Sequence, residues 1–404
     1  MMRPMLRRLY LRSFRSVPSA EIELENPTFL IGRNGAGKSN LVDALAFVAE
    51  LMTDQLSAVF DRRGGIGAVR NRRPGQRRPP NMAFQLELAN LDSETAAASY
   101  TFELRALKGF AFEVVREQCI LASRNDSERT WFDRGSDGRV RTSLGAFSLH
   151  MKPAALALPL IGGDTRFQPL VNFLSEMRVY RIDPALLSQG QEPDSGLRLH
   201  QDGRNVASVL REIRTDSPDE HHRVLELLEK IVPNTIDVRP KAYGNRLALE
   251  LTQEWSDQGQ LKFEAHSVSD GTLRALGLLA AVFQRPTPSL LVIEEPEATI
   301  HPGAFGTVLD LLRHATRFTQ LIATTHSPDL LDAKWIEDRH LRVVSAEGGP
   351  TQVAEVSEET RSILRDHLMG AGELLRSNAL RSGNVTDTAS SKLKSRPLFH
   401  NLES

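Results

Sequence analysis

Apolar residues recur along this chain with periods that change from stretch to stretch, and the changes divide it before any chemistry is considered. Up to residue 31 they fall at strand spacing, in Leu9, Leu11 and Phe14, then Ile22 and Leu24, then Phe29, Leu30 and Ile31, which predicts two or three strands. Leu41, Leu45, Val48 and Met52 follow at helical spacing. From 83 to 150 alternation returns, in Phe84, Leu86 and Leu88, in Phe102 and Leu104, and in Phe110, Phe112 and Val114. Trp131 and Phe132 precede the turn signal Arg134-Gly135-Ser136-Asp137-Gly138, so an antiparallel β-lobe is expected. The pattern then becomes helical, with Val206, Leu210 and Ile213 on one helix and Val224, Leu225, Leu228, Ile231 and Val232 on another. Strands are predicted at 235–240, 246–252 and 260–265. From 268 to about 356 helices and apolar strands alternate, as in a parallel sheet covered on both faces.

These changes predict an α/β protein in four parts: an N-terminal lobe over 1–150, a mainly helical insertion over 151–234, a C-terminal lobe over 235–369, and a loose tail over 370–404, rich in Ser, Asn, Arg and Lys. Composition adds little to that picture. With 404 residues, a net charge of −1 and no long apolar run, the chain reads as soluble and cytoplasmic, with no membrane segment and no global basic field to attract nucleic acid. A single cysteine, Cys119, excludes an internal disulfide and reads as a packed residue. His221 and His222 have no cysteine or carboxylate pattern at metal-ligand spacing, so no metal site is read there. One stretch stands apart: residues 61–80 carry seven arginines between Arg62 and Arg78 among glycines and prolines. A loop is expected, either simply solvated or contacting nucleic acid, nucleotide or an acidic partner.

The chemistry gathers at strand ends. Gly32-Arg33-Asn34-Gly35-Ala36-Gly37-Lys38-Ser39 is a complete phosphate-binding loop between the strand ending at Ile31 and a helix beginning near Lys38. Gly32, Gly35 and Gly37 are expected to supply positive φ, so that backbone N–H groups and the helix start surround phosphate oxygens. Lys38 is expected to reach the β- and γ-phosphates of ATP, and Ser39, followed by Asn40, to place its hydroxyl on Mg²⁺. Leu290 to Ile293 form an apolar strand with Glu294 and Glu295 at its end. Glu294 is expected to hold Mg²⁺, and Glu295 to take a proton from the attacking water. Leu321 to Ser327 form another short strand ending in hydroxyls and His326, which is expected to reach the γ-phosphate. Ser269 is a candidate N-cap for a helix carrying Asp270 and Gly271 in its first turn.

The order of these motifs resembles the ABC-type ATPase heads of the SMC, RecF and OLD families, and is most similar to the stand-alone bacterial AAA_21 and AAA_15 ATPases. The resemblance rests on residues 5–50 and 200–335, with Leu199 to Ala207 included. It implies a P-loop NTPase fold, an ABC-ATPase head with an antiparallel β-lobe and a helical insertion. It also implies that two copies sandwich ATP, so that Ser269, Asp270 and Gly271 of one copy meet the nucleotide held by Lys38 of the other. Arg15 matches the basic residue such heads place near the nucleotide. Asp270 in the signature, Glu294 in place of aspartate, and Glu297-Ala298-Thr299-Ile300-His301-Pro302 follow the OLD-like branch. No glutamine-loop residue is assigned; Gln85 and Gln118 are set aside. OLD-type proteins carry a C-terminal nuclease, for which the residues after Gly370 are too few. The resemblance therefore implies an ATPase, a homodimer or higher oligomer, that regulates a separate effector, with a nuclease in anti-phage defence as the candidate class. Two rival functions stay open: a RecF-like ATP-dependent DNA clamp in repair, and a scaffold in which ATP is structural and turnover incidental.

Overall fold

The structure, a computed structural model, describes residues 3–72, 79–125, 129–145, 149–255, 259–346, 349–383 and 397–402. The chain forms two compact units, one of residues 1–177, 337–368 and 378–404, the other of 178–336 and 369–377.

In the first unit the N-terminal alternation produces three strands: β1 (Met5–Phe14), β2 (Val17–Glu23) and β3 (Thr28–Ile31). β1 and β2 join β4 (Asn81–Ala89), β5 (Thr95–Ala106), β6 (Phe112–Ser123), β7 (Arg129–Arg134), β8 (Arg139–Thr142) and β9 (Leu149–His150) in an eight-stranded antiparallel sheet of order β2-β1-β4-β5-β6-β7-β8-β9. Alternation puts Leu9, Leu11, Phe84, Leu86, Phe102 and Leu104 in the core. Helix α1 (Lys38–Thr53) contributes Phe47, whose ring stacks on Phe84 at 5.3 Å; Phe84 in turn stacks on Phe102 at 4.9 Å. Burying each such ring stabilises the lobe by roughly 1.5–3 kcal/mol, and that seats α1 on the lobe. β3 pairs in parallel with β16 (Leu341–Ser345), which pairs antiparallel with β17 (Gln352–Glu355). Helices α4 (Leu158–Ile161) and α5 (Gln168–Ser175) pack on α1, and α12 (Glu358–Arg365) follows β17.

The second unit begins within β10 (Met177–Tyr180). It contains α6 (Pro184–Leu187), α7 (Val206–Asp216) and α8 (Pro218–Ile231). A three-stranded antiparallel sheet follows, of β11 (Thr235–Tyr243), β12 (Arg246–Trp255) and β13 (Gly259–Glu264). Next come α9 (Asp270–Phe283) and a βαβ sequence of β14 (Leu290–Glu294), α10 (Phe305–Ala315) and β15 (Gln320–Thr325), in which the strands are parallel. α11 (Pro328–Leu331) and α13 (Ala371–Arg376) pack together, and Arg376 pairs with Asp329 and Asp332. β14 and β15 are buried along their whole length, which explains their unbroken apolar runs. Residues 151–234 thus hold β10 as well as α4 to α8, and they divide between the units after Met177.

Three expectations need correction. The arginine-rich stretch is not a plain loop, since its described part takes in the end of α2 (Leu56–Arg62) and the whole of α3 (Ile66–Val69); residues 73–78 lie outside the described residues. Arg62 pairs with Glu50 and Asp54, and Arg63 with Glu50 and Asp43, so these two charges are answered by α1 and the residue after it. Phe110, expected in a strand, lies in a one-turn helix at φ +66° and is 83% exposed; β6 starts two residues later. The tail after Gly370 is not loose throughout. α13 buries Leu374, and Leu398 packs against Tyr10 and Ala83. Gln118 binds the backbone of His400 in both directions, at 3.0 and 2.8 Å.

Candidate functional site

The phosphate loop lies in the first unit. Its glycines are needed for two different reasons. Gly35 and Gly37 take positive φ, +80° and +101°, as expected. Gly32 does not: a Cβ there would stand 2.2 Å from the Val344 carbonyl oxygen of β16, so the requirement is close approach. A Cβ on Gly37 would meet the Thr351 hydroxyl at 2.0 Å. Thr351 is buried, donates to the Ala36 carbonyl at 3.0 Å, and shares a 2.6 Å hydrogen bond with the Ser16 hydroxyl, which also accepts from Asn40. These contacts brace the loop from segments more than 300 residues apart in sequence.

Helix α1 starts at Lys38 behind Gly37, with no side-chain cap, so the positive end of its dipole is presented at the loop. The Lys38 ammonium donates to the carbonyls of Gly32 at 2.6 Å and Arg33 at 3.2 Å, inside its own loop. Arg33, Asn34, Gly35 and Ser39 are exposed, whereas Ala36 and Lys38 are buried. Arg15, at φ +46°, pairs with Asp43 of α1, one helical turn beyond Ser39. Its backbone is held on both sides, donating to Val69 O at 2.7 Å and accepting from Asn71 at 2.7 Å. The described part of the arginine-rich stretch therefore braces Arg15 from behind, a role that composition did not reveal.

The carboxylates lie in the second unit. Glu294 ends β14, buried, in register with Thr324 of β15. The next residue, Glu295, takes φ +47°, a left-handed conformation that costs a non-glycine residue roughly 1–2 kcal/mol. Its N–H donates to the Thr324 carbonyl at 3.0 Å and hydroxyl at 3.1 Å, which fixes the turn. Its half-exposed carboxylate stands 3.4 Å from Nδ1 of His326. Glu297 is buried and accepts from the Thr325 hydroxyl at 2.5 Å, which accepts in turn from the Ser327 N–H, so both neighbours of His326 are held. Ser269 caps α9 as expected, accepting from Thr272 N–H at 3.2 Å, and Ser269 and Asp270 are exposed. A Cβ on Gly271 would lie 2.6 Å from the Thr299 carbonyl, so the start of α9 touches the turn that follows Glu295.

Each unit thus gathers one set of the expected residues: Gly32 to Asn40 with Arg15 in the first, and Glu294, Glu295 and His326 with Ser269 to Gly271 in the second. Sequence reasoning missed Thr351, whose partners Ala36 and Ser16 lie more than 300 residues away in the chain. Among the described residues no three or more His, Cys, Asp or Glu side chains converge as an all-protein metal cage. The hydroxyl of Ser39 and the carboxylate of Glu294 are hard oxygen donors of the kind Mg²⁺ takes when phosphates supply further ligands. Cys119 is fully buried and its thiol is pushed well above the ordinary range by burial. Gln85 and Gln118 are buried in the β-lobe. No helix among the described residues is long and apolar enough to cross a membrane.

Residues 28–332 match the AAA_21 family, described as "AAA domain, putative AbiEii toxin, Type IV TA system". The chain belongs to this family. It is also 30% identical over 390 residues to the DNA replication and repair protein RecF of Picosynechococcus sp. (strain ATCC 27264 / PCC 7002 / PR-6), a match covering 86% of this chain and 96% of that protein. Among solved structures it is similar to the Smc head domain of Pyrococcus furiosus bound to the C-terminal domain of ScpA, with a TM-score of 0.55 at 13% identity over 91% of this chain and 100% of that one. An SmcHead bound to the C-winged helix domain of ScpA gives 0.56 at 14% identity over 88% and 99%. At such identity the structures speak for the fold alone: this AAA_21 member has the P-loop NTPase fold of SMC head domains. Family and relative together make it an ABC-type ATPase head of the SMC/RecF group.

Proposed function

We propose that this ATPase is a switch in which two copies close around ATP and reopen after hydrolysis. Lys38 and the α1 start hold the β- and γ-phosphates, with Arg15 beside them. Ser39 and Glu294 hold Mg²⁺, which neutralises charge on the phosphates when bound. Glu295 accepts a proton from the attacking water, and His326 donates toward the γ-phosphate. Ser269, Asp270 and Gly271 of the second copy complete the site. The observation that carries this reading is the α9 start, where Ser269 and Asp270 are exposed at the positive end of a helix. Its output is regulation of a separate effector protein, with a nuclease in anti-phage defence as the candidate class. The family description, which names a toxin of a type IV system, supports a conflict role.

The test is Glu295→Gln with Mg-ATP, followed by light scattering and phosphate release. ATP binding is expected to persist, turnover to fall by about 10²–10⁴-fold, and a dimer to accumulate. Native turnover by the variant would remove Glu295 from the reaction. The near-complete coverage of RecF favours a second reading, an ATP-dependent DNA clamp. Arg62 and Arg63 already face acids of the first unit, so salt-dependent DNA binding would have to come from other residues.

A further inference from the structure

Arg274 is charged and only 7% exposed, and every hydrogen bond it makes goes to a carbonyl oxygen. One terminal nitrogen donates to Ile182 O at 2.9 Å; the other donates to Glu294 O at 3.0 Å and Glu295 O at 2.7 Å. Its Nε has no partner. Burial pulls its pKa below the usual arginine value, against the fields of Glu297 and Glu295, which hold the positive charge in place. A cation desolvated this far fixes the two peptide carbonyls where the backbone leaves β14 and turns into the left-handed region at Glu295.

Its position on α9 adds a second observation. Gly271 and Arg274 are three residues apart and share one helical face. Gly271 abuts the Thr299 carbonyl while Arg274 holds the carbonyls of Glu294 and Glu295, so α9 grips the turn over 294–299 at both ends. The cap and first residue of that helix, Ser269 and Asp270, are exposed. We propose that Arg274 is a positioning residue that ties the orientation of the Glu295 backbone to the seating of α9, so that contact at the exposed helix start sets the angle of the general base.

This inference rests on the ATPase reading above, in which Glu295 is the base, and the experiment separates the two. Arg274→Met keeps an unbranched apolar stem but donates nothing; Arg274→Lys keeps the charge and can serve one carbonyl at a time. Under single-turnover conditions Arg274→Met should lower the hydrolysis rate by about a hundredfold, the cost of a misplaced catalytic group, with ATP affinity within about threefold of the parent. Arg274→Lys should recover about tenfold of that loss. Hydrogen–deuterium exchange of a peptide spanning 293–299 should speed up in both variants while the β-lobe keeps its protection, and exchange and turnover in Arg274→Lys decide the matter if Arg274→Met does not fold. Parental turnover in Arg274→Met, equal losses of turnover and ATP affinity in both variants, or unchanged exchange over 293–299 would each overturn the proposal. With Glu295→Gln run alongside, loss of turnover there but not in Arg274→Met sinks only this inference, whereas parental turnover in Glu295→Gln sinks the reading beneath it.

Discussion

The two helix starts that carry the candidate site are built by opposite means. At α1 no side chain caps the helix; glycines at +80° and +101° shape the loop, and buried Thr351 and half-buried Ser16 close against it from distant segments. At α9 one serine does the capping, and Ser269 and Asp270 lie in the open. A loop that must bind a nucleotide inside one chain is braced by that chain. The α9 start is left exposed, as the proposed switch requires of a surface that meets a second copy, and its internal contacts run backward to the Glu295 turn.

The largest effect is expected at the braced start. Gly37→Ala adds a left-handed strain of about 1–3 kcal/mol and pushes into the Thr351 hydroxyl, so ATP affinity should fall by roughly ten- to a hundredfold or more in a titration. Unchanged affinity would mean that the loop is less constrained than its φ values imply. At the open start, Ser269→Arg should leave ATP binding by a single copy near the parental value while hydrolysis falls by about a hundredfold and ATP-dependent dimerisation is lost. If ATP binding falls as far as turnover, the two starts do not have separate roles.

Ser269→Ala is a milder probe, removing the cap at about 1 kcal/mol and lowering the melting temperature by roughly 2–4 °C. A control that leaves both starts alone lies on the β11–β13 sheet. There hydrogen bonds from Lys241 and Arg239 hold the Glu250 carboxyl down to about 2. A carboxyl with a depressed folded-state pKa adds stability above its ordinary value of 4.5, and that stability drains as pH falls from there toward 2. Glu250→Gln should therefore melt slightly below the parent at pH 6, converge with it near pH 2, and dimerise normally with ATP. A constant gap across that range would show that the effect is not titration.

The motifs were legible because their demands are local. Gly32 to Ser39 lie between one strand and one helix, and Glu294 and Glu295 directly follow an apolar run, so spacing alone places them on strand ends. Even there, the reason for Gly32 was misread: the carbonyl that forbids its side chain belongs to Val344, 312 residues away. The arginines at 62 and 63 looked like a surface charge run because the acids that meet them, Asp43, Glu50 and Asp54, occupy an earlier helix and its end. Leu398 looked like part of a polar tail because Tyr10 and Ala83, which receive it, sit in strands near the other end of the chain.

By itself, then, the sequence determined the strand and helix periods, the phosphate loop, the paired glutamates and the serine cap, all of which are set by backbone geometry and alternation over a few residues. Tertiary structure alone decided what Arg274 holds, what closes on Gly37 and what covers Tyr10. Those outcomes depend on which distant carbonyl, hydroxyl or methyl group arrives within bonding distance, and no local period encodes that.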